Sequence, residues 1–358
     1  MKKEDKQGLY FLAETPVEFF TSGCTLLDCS LGGGYPERRI INLIGDTSVG
    51  KSLLASEAAI NFLKKYPKGK VYYLEAEAAF DKRYAERVGL PLIDKKDASP
   101  TKDVGKVTFI EDVDTVEGMY NKLSEISGID DSEIDKEKGD EDSIKVNIKK
   151  QPELFIVDSL DALGDSAEKG REIDEGSYGT KAKQLSSLFR RLTKKIAKAN
   201  ITLFIISQIR DNIGVTFGNK DTTSGGRALE FYASQRIWLA NLGKLEKTIG
   251  GEKRFIGLKV KSNCKKNKVG LPFRVCEFPI IFNFGIDDVL AHLQYLESIK
   301  KLDSIKSELD LKGRALIDMA NNIRGEKNAV ELQDSLKELV IHFWNEIENQ
   351  FIPKFKKY

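Results

Sequence analysis

The densest concentration of chemistry in this sequence is an eight-residue stretch that runs Gly-Asp-Thr-Ser-Val-Gly-Lys-Ser. It fits the pattern G-x-x-x-x-G-K-[ST] at every fixed position. Glycines let backbone N–H groups surround phosphate oxygens, and the start of a helix adds partial positive charge. Lys51 is predicted to reach the β- and γ-phosphates of a nucleoside triphosphate, and the Ser52 hydroxyl to ligate Mg²⁺. The predicted nucleotide-binding residues are Gly45, Asp46, Thr47, Ser48, Val49, Gly50, Lys51 and Ser52.

Polar side chains that follow other apolar runs can complete a site for triphosphate hydrolysis. Asp158 follows Leu-Phe-Ile-Val, and a parallel-sheet NTPase uses an acid in this place to hold Mg²⁺. Glu77 ends a second apolar run and is predicted to position and polarise the attacking water. Gln208 ends the next run, where its amide can contact the γ-phosphate. A single acid of this kind is most often a capping or loop carboxylate, but a shared sheet favours the catalytic interpretation.

These residues need a parallel sheet to bring them together, and the sequence from about 38 to 282 alternates strand and helix patterns that build one. Near-continuous apolar runs are typical of strands that are covered on both faces. The predicted strands are 40–45, 71–77, 106–111, 154–159 and 202–209. A basic amphipathic helix is predicted over 181–199 from the spacing of its apolar residues. Further strands, antiparallel and at the far edge of the sheet, are expected at 236–242, 254–262 and 272–282, and a brief strand around 10–12.

The chain of 358 residues is longer than one ordinary domain, so we expect a large core and a smaller appendage. Residues 1–20 are predicted to form a short N-terminal arm, 21–286 an α/β core, and 287–358 a small helical domain. Within the core, residues 130–142 hold eight acids and two lysines. The stretch 127–150 is therefore predicted to be a flexible, solvated acidic insertion.

The overall amino-acid composition excludes some classes of protein but does not identify a partner. Lysine and arginine number 57 against 55 acids, so a nucleic-acid surface would have to come from local clustering. The four cysteines lack C-x-x-C spacing and are expected to be small buried or half-buried side chains, and the two histidines lie in unrelated segments, which argues against a zinc site. No apolar run approaches 18 residues, and the N-terminus lacks an apolar signal core. We expect a cytoplasmic protein without a membrane partner.

A longer set of motifs makes the chain similar to a known family. Residues 75–81, Glu-Ala-Glu-Ala-Ala-Phe-Asp, and 156–159, Ile-Val-Asp-Ser, contain the two acids described above. The most specific stretch runs Ser-Gln-Ile-Arg-Asp-Asn-Ile-Gly-Val-Thr-Phe-Gly-Asn over 207–219 and continues with Thr-Thr-Ser-Gly-Gly over 222–226. Over about residues 21–286 these motifs resemble bacterial RecA and its phage relatives, the homologous-recombination ATPases. The resemblance implies a RecA-like P-loop ATPase core, with Glu77 as the catalytic glutamate and with Asp81 and Tyr84 as adenine contacts.

The same resemblance implies a helical filament that binds single-stranded DNA and exchanges it with homologous double-stranded DNA, using ATP and Mg²⁺. Two loops, loop one at 171–180 and loop two at 209–226, would lie near the filament axis. The implied DNA-binding residues are Lys183, Ser186, Arg190, Arg210, Ile213, Phe217, Gly225 and Gly226. Glycines and small polar residues suit contacts to the DNA backbone that accept any sequence. Loader and single-strand-binding proteins are further candidate partners.

Self-assembly is implied to complete the active site. Lys266 and Lys268 match a family pair that reaches the γ-phosphate held by the neighbouring subunit, where a cation neutralises transition-state charge. Phe231 falls on a subunit-interface aromatic of the family. Gln208 lies between the nucleotide and loop two, so a γ-phosphate contact there is expected to order the loop. The catalytic set is therefore Lys51, Glu77, Gln208, Lys266 and Lys268.

Two other functions fit parts of the same sequence. A ring-forming DNA helicase or a clock-type ATPase shares the phosphate loop, the glutamate and the sheet, but is not expected to carry the 207–219 motif. A non-enzymatic DNA-binding accessory would need only the scaffold, and intact Lys51, Glu77 and Asp158 argue against it. Filaments instead of rings would exclude the first alternative, and DNA-stimulated ATP hydrolysis would exclude the second.

Overall fold

A computed structural model provides the structure of the protein. It describes residues 17–92, 105–128, 151–164, 180–211, 221–223, 226–303, 315–351, 353 and 355. The strand predicted around 10–12 lies outside the described residues.

Strands and helices alternate along most of the chain. The strands are β1 (Phe19–Phe20), β2 (Tyr35–Pro36), β3 (Ile40–Gly45), β4 (Lys70–Glu75), β5 (Val107–Ile110), β6 (Glu153–Asp158), β7 (Ile201–Asp211), β8 (Asp221–Thr223), β9 (Gln235–Ile249), β10 (Glu252–Asn267), β11 (Arg274–Ile281) and β12 (Gly285–Ile286). The helices are α1 (Thr25–Leu31), α2 (Lys51–Lys65), α3 (Lys82–Arg87), α4 (Val116–Ser127), α5 (Thr180–Lys198), α6 (Gly226–Tyr232), α7 (Asp288–Ser298), α8 (Leu316–Gly325) and α9 (Ala329–Phe351). The α/β class is confirmed.

One large sheet forms the centre of the described structure. Its strands follow the order β12-β11-β10-β9-β3-β7-β6-β4-β5, and β8 is attached to β7. The six strands from β9 to β5 in this order run parallel, whereas β10, β11 and β12 are antiparallel to their neighbours. Every residue of β3 and β6 is buried, as expected for parallel strands covered on both faces. The carboxyl ends of the parallel strands meet at one edge, where ligands bind in folds of this kind.

The two faces of the sheet carry separate groups of helices. Buried residues of α1, α2 and the C-terminal helices pack on one face, and those of α4, α5 and α6 pack on the other. The side chains of β7 alternate between these faces: Phe204 contributes to the first cluster and Leu203 to the second. The predicted amphipathic helix over 181–199 is confirmed as α5, whose buried apolar residues are Leu185, Leu188, Phe189, Leu192 and Ile196.

The strands predicted at 236–242 and 254–262 are much longer in the structure. β9 and β10 form an extended hairpin that turns at Gly250 and Gly251, both with positive φ. The expectation that β9 is antiparallel to the sheet was wrong, because β9 pairs in parallel with β3. The antiparallel part of the sheet begins with β10, which pairs antiparallel with β9. Beyond Leu239 most side chains of β9 are exposed, and apolar and polar residues no longer alternate with burial. An exposed two-stranded ribbon lacks the apolar pattern by which a buried strand is recognised, so the sequence underestimated its length.

The first residues of the predicted acidic insertion belong to a helix. Ser127 is the last residue of α4 and is buried, and Gly128 follows as a left-handed cap. The predicted insertion therefore overlaps the end of α4, because the helix-ending glycine lies inside the polar stretch. Residues 129–150 lie outside the described part of the chain.

The C-terminal helices pack against the sheet and α1. Leu290, Leu293 and Leu296 of α7 are buried, and Leu336 of α9 is buried in the same apolar cluster. Asp288 accepts hydrogen bonds from the backbone N–H and the hydroxyl of Thr25, each at 2.7 Å, which ties α7 to α1. The helical structure predicted for 287–358 is thereby confirmed in the described residues.

All four cysteines are free, and their predicted burial is confirmed. Cys24, Cys264 and Cys276 are buried, and Cys29 is half-buried. Within the described residues, no helix has both the length and the apolar content to cross a bilayer.

Candidate functional site

The predicted phosphate loop connects β3 to α2 at the carboxyl edge of the parallel strands. Gly50 caps α2 with a φ of 96°, and a Cβ built there would lie 2.6 Å from Cδ1 of Ile280. The positive φ favours glycine here, and a larger residue would also have to displace the end of the Ile280 side chain. Val49 is buried whereas Asp46, Thr47 and Ser48 are exposed. The loop therefore presents polar side chains to the outside and is anchored by one buried apolar side chain.

Lys51 lies across this loop. Its Nζ donates hydrogen bonds to the carbonyl oxygens of Gly45 at 2.9 Å and Asp46 at 2.5 Å. Burial lowers the pKa of Lys51, and the nearby carboxylates of Asp158 and Glu77 oppose this shift. A lysine held in this way carries its charge close to the position where the loop would surround phosphate oxygens.

Asp158 ends β6 directly opposite Glu75 of β4. Its Oδ2 accepts a hydrogen bond of 2.7 Å from the hydroxyl of Tyr73, which is completely buried. Burial raises the pKa of Asp158, hydrogen bonds from Tyr73 and Ser52 lower it, and the carboxylates of Glu77 and Glu75 raise it further. The hydroxyl of Ser52 and the carboxylate of Asp158 are therefore close together, as the predicted metal site requires.

Oxygen ligands of this kind fit Mg²⁺, which prefers carboxylate and hydroxyl donors and keeps several water ligands. Ser52 and Asp158 line one cleft at the end of the sheet. The lining residues of this cleft are Ser52, Leu53, Ser56, Glu75, Glu77, Ala79, Phe80, Asp81, Ala85 and Asp158. It thus contains the predicted adenine contact Asp81 beside the predicted metal ligands, whereas Tyr84 is described only as part of α3.

Glu77 lies two residues beyond the end of β4, so the prediction that it ends the strand was wrong. The backbone turns after Glu75, whose Oε1 accepts hydrogen bonds from the N–H groups of Glu77 and Ala79. These bonds hold the turn that carries Glu77 out to an exposed position in the cleft. An exposed carboxylate at the edge of the phosphate site can reach a water molecule, which its predicted role demands.

Glu77 also contacts the residue that follows β6 and a residue of β7. Its Oε1 accepts hydrogen bonds from the Ser159 hydroxyl and from Nε2 of Gln208, the latter at 2.9 Å. Gln208 is itself held by its backbone N–H, which donates to Oδ2 of Asp161 at 2.7 Å. The predicted water-activating acid and the predicted coupling residue are therefore in direct contact.

Gln208 lies inside β7, which continues to Asp211 and forms the first side of a short ladder. Ile209, Arg210 and Asp211 pair with Thr223, Thr222 and Asp221 of β8. Residues 212–220, with the predicted DNA contacts Ile213 and Phe217, lie between the two strands and outside the described residues, as does Gly225. The paired residues 209–211 and 221–223 thus form a two-stranded stem for loop two, and this stem begins one residue after Gln208. Gly226, at the end of loop two, is the first residue of α6.

The remaining predicted DNA contacts lie on α5. Ser186 and Arg190 are exposed, and they follow Lys183 at intervals of three and four residues, which places the three positions on one face of the helix. Nothing is described of the Lys183 and Arg210 side chains, and 171–179 of loop one lie outside the described residues.

Lys266, Lys268 and Phe231 form a separate surface at the C-terminus of α6. Phe231 is 68% exposed. Nζ of Lys266 donates to the carbonyl oxygens of Glu230 and Phe231, and Nζ of Lys268 donates to that of Phe231 at 3.1 Å. Burial lowers the pKa of Lys266 to about 8, with a further lowering from the charge of Lys268. Neither lysine lines the described cleft of its own chain.

Sequence reasoning missed several residues of this site. Tyr73, Glu75, Phe80, Ser159 and Asp161 line the cleft or hold its predicted residues. All lie within four residues of Glu77 or Asp158 along the chain. Their proximity to the predicted acids was the available signal, but it does not indicate which of them face the site.

Comparison with known proteins identifies relatives across most of the chain. A family model for the RecA N-terminal domain matches residues 6–100 and 96–287. The chain is 35% identical to Protein RecA of Chlamydia trachomatis serovar L2 over 271 residues, which are 75% of this chain and 66% of that protein. It is 31% identical to Protein RecA of Mycoplasma mycoides subsp. mycoides SC over 331 residues, 90% of this chain and 84% of that protein. The chain therefore spans just under two thirds of the Chlamydia relative.

Proposed function

The chain belongs to the RecA family, and from that premise we propose that it is a DNA-dependent ATPase that forms filaments on single-stranded DNA and exchanges strands with homologous duplex DNA. The observation that carries this proposal is the hydrogen bond between Gln208 and Glu77. It joins the hydrolytic edge of the sheet to the stem of the DNA-binding loop two. An enzyme that uses ATP to control its affinity for DNA needs a connection between its hydrolytic residues and its DNA-binding loop.

ATP would bind with its triphosphate over the loop from Gly45 to Ser52, and Ser52 and Asp158 would hold Mg²⁺. When bound, the ion neutralises charge on the β- and γ-phosphate oxygens. Lys51 adds positive charge from within the loop, where its Nζ is held by two carbonyl groups. Glu77 orients the attacking water and accepts its proton, because it is an exposed carboxylate whose backbone is held by Glu75. The adenine lies near Asp81 and Tyr84.

Hydrolysis depends on assembly in this proposal. Lys266 and Lys268 approach the γ-phosphate bound by the adjacent protomer, where they stabilise the charge that develops in the transition state. The exposed ring of Phe231 beside these lysines supports an interface at this surface, since a large aromatic side chain gains by burial against a partner. In the isolated chain the two ammonium groups donate hydrogen bonds to a carbonyl oxygen at the C-terminus of α6. Docking would have to draw them away from that carbonyl.

Coupling to DNA runs through Gln208. A contact between its amide and the γ-phosphate competes with the hydrogen bond to Glu77, and a small shift of Gln208 acts on the β7–β8 stem that begins at the next residue. Loop two thereby has one arrangement with ATP and another after hydrolysis. Ser186 and Arg190 on α5, with Lys183, supply contacts to the DNA backbone.

The proposal includes a cytoplasmic location, and loader or single-strand-binding proteins as partners during filament formation. Its test is a strand-exchange assay between circular single-stranded DNA and homologous linear duplex, with ATP and Mg²⁺. Joint molecules should form with homologous DNA only, and the Lys51→Ala variant should form none. Unwinding of duplexes regardless of homology, with rings instead of filaments in negative-stain images, would assign a helicase function and refute the proposal.

A further inference from the structure

Tyr73 connects the predicted metal ligand to the hydrophobic core. It lies on β4, two residues before the end of the strand, and is completely buried. Its hydroxyl donates to Oδ2 of Asp158 at 2.7 Å. Its ring packs against Phe80 and Phe109, with centroid distances of 4.9 and 5.0 Å.

The position of Tyr73 separates it from direct contact with a nucleotide. It does not line the described cleft, whereas Asp158 and Phe80 do. The phenol therefore reaches the carboxylate of Asp158 from the hydrophobic core and not from the cleft. Because one oxygen of the carboxylate accepts a hydrogen bond from a completely buried phenol, rotation of the carboxylate is restricted.

We propose that Tyr73 is a positioning residue for the Mg²⁺ site, which orients the Asp158 carboxylate toward the ion held with Ser52. The inference rests on the proposed function, because it assumes Mg²⁺–ATP at this cleft. Partners that orient metal-ligating side chains typically contribute 10–100-fold in metal affinity. The same ring contacts Phe80 in the cleft wall, so Tyr73 links the wall of the nucleotide site to its metal ligand.

A purely structural role is the competing explanation, since a buried tyrosine also fills volume. The two roles differ in which atom matters. Packing depends on the ring, which phenylalanine retains, whereas positioning depends on the hydroxyl, which phenylalanine lacks. Tyr73→Phe removes only that oxygen and leaves the stacking on Phe80 and Phe109 intact, so it separates the two roles.

The test measures binding of a fluorescent ATP analogue, N-methylanthraniloyl-ATP, to wild type and Tyr73→Phe, first in EDTA and then across a Mg²⁺ titration. For Tyr73→Phe we expect unchanged affinity in EDTA and a half-saturating Mg²⁺ concentration raised about tenfold. The matched control is Phe109→Leu, which disturbs the same ring cluster without removing the hydroxyl. It should lower the melting temperature and leave the Mg²⁺ dependence unchanged.

A double-mutant cycle with Asp158→Asn completes the test. If Tyr73 acts through Asp158, adding Tyr73→Phe to Asp158→Asn should change the Mg²⁺ dependence little, because the carboxylate to be oriented is already gone. An unchanged Mg²⁺ requirement in Tyr73→Phe, an equal shift in Phe109→Leu, or additive effects in the cycle would each overturn the inference. Failure of wild type to bind the analogue in a Mg²⁺-dependent way would overturn the proposed function itself, which keeps the two failures distinct.

Discussion

Replacing Gln208 with alanine removes a side-chain amide that joins Glu77, the proposed water-activating acid, to the strand leading into loop two. Nε2 of Gln208 donates to Oε1 of Glu77 at 2.9 Å, and Ser159 remains as a second donor to the same oxygen. The backbone N–H of Gln208 still bonds Asp161, so the β7 strand keeps its anchor. The substitution should therefore leave the fold and the phosphate loop intact. It should break only the connection between Glu77 and loop two.

The size of the effect follows from the hydrogen bond that the amide makes to a charged acceptor in either state, to the γ-phosphate with ATP or to Glu77 without it. A hydrogen bond to a charged acceptor contributes about 1.5–3 kcal/mol when it is buried. Glu77 is exposed, so water competes for its carboxylate and the contribution lies near the lower end. Since about 1.4 kcal/mol corresponds to a factor of ten, stimulation of ATP hydrolysis by DNA should fall about tenfold.

The assay measures ATP turnover against the concentration of single-stranded DNA, together with the affinity for N-methylanthraniloyl-ATP without DNA. Gln208→Ala should bind the analogue as wild type does, keep its DNA-independent turnover, and lose most of the stimulation. The matched control is Gln294→Ala, which removes another half-buried glutamine from α7, away from the cleft. It should retain full stimulation.

Two outcomes would refute this reasoning. Full stimulation of Gln208→Ala by DNA would show that the signal bypasses the amide. A loss of nucleotide affinity as large as the loss of stimulation would assign Gln208 to nucleotide binding instead of coupling.

Three further predictions concern the hydrolytic residues and the subunit interface. Lys51→Ala and Lys266→Ala should each be inactive in ATP turnover, whereas an equal mixture should recover activity, because about a quarter of random interfaces combine an intact loop with an intact lysine; no recovery would contradict donation between subunits. The Lys266 ammonium loses its proton as pH rises through its pKa of about 8, so ATP-dependent filament formation followed by light scattering should weaken above pH 8 in wild type and persist in Lys266→Arg, which stays charged. Glu77→Gln should bind ATP but not cleave it, and electron microscopy should find its filaments on DNA long after wild-type filaments have dissociated; equally rapid dissociation would remove Glu77 from the hydrolytic step.

Local features of the site were predictable from the sequence because they depend on residues that are adjacent along the chain. The predicted phosphate loop has glycine at Gly50, where the backbone is left-handed, and a lysine and a serine directly after it. The parallel strands were recognisable because burial on both faces requires an unbroken apolar run. Where burial ends, as in the outer half of the β9–β10 hairpin, that requirement disappears and the predicted strands stop too early.

Contacts between side chains at the ends of different strands were decided only by the tertiary structure. The Tyr73–Asp158 bond joins residues 85 positions apart, and the Glu77–Gln208 bond joins residues 131 positions apart. Both depend on which strands are neighbours and on their register, since a shift of one residue turns each side chain to the opposite face. The sequence alone therefore determined which residue types are available at the end of each strand. The order β3-β7-β6-β4 and its register determined which of them meet.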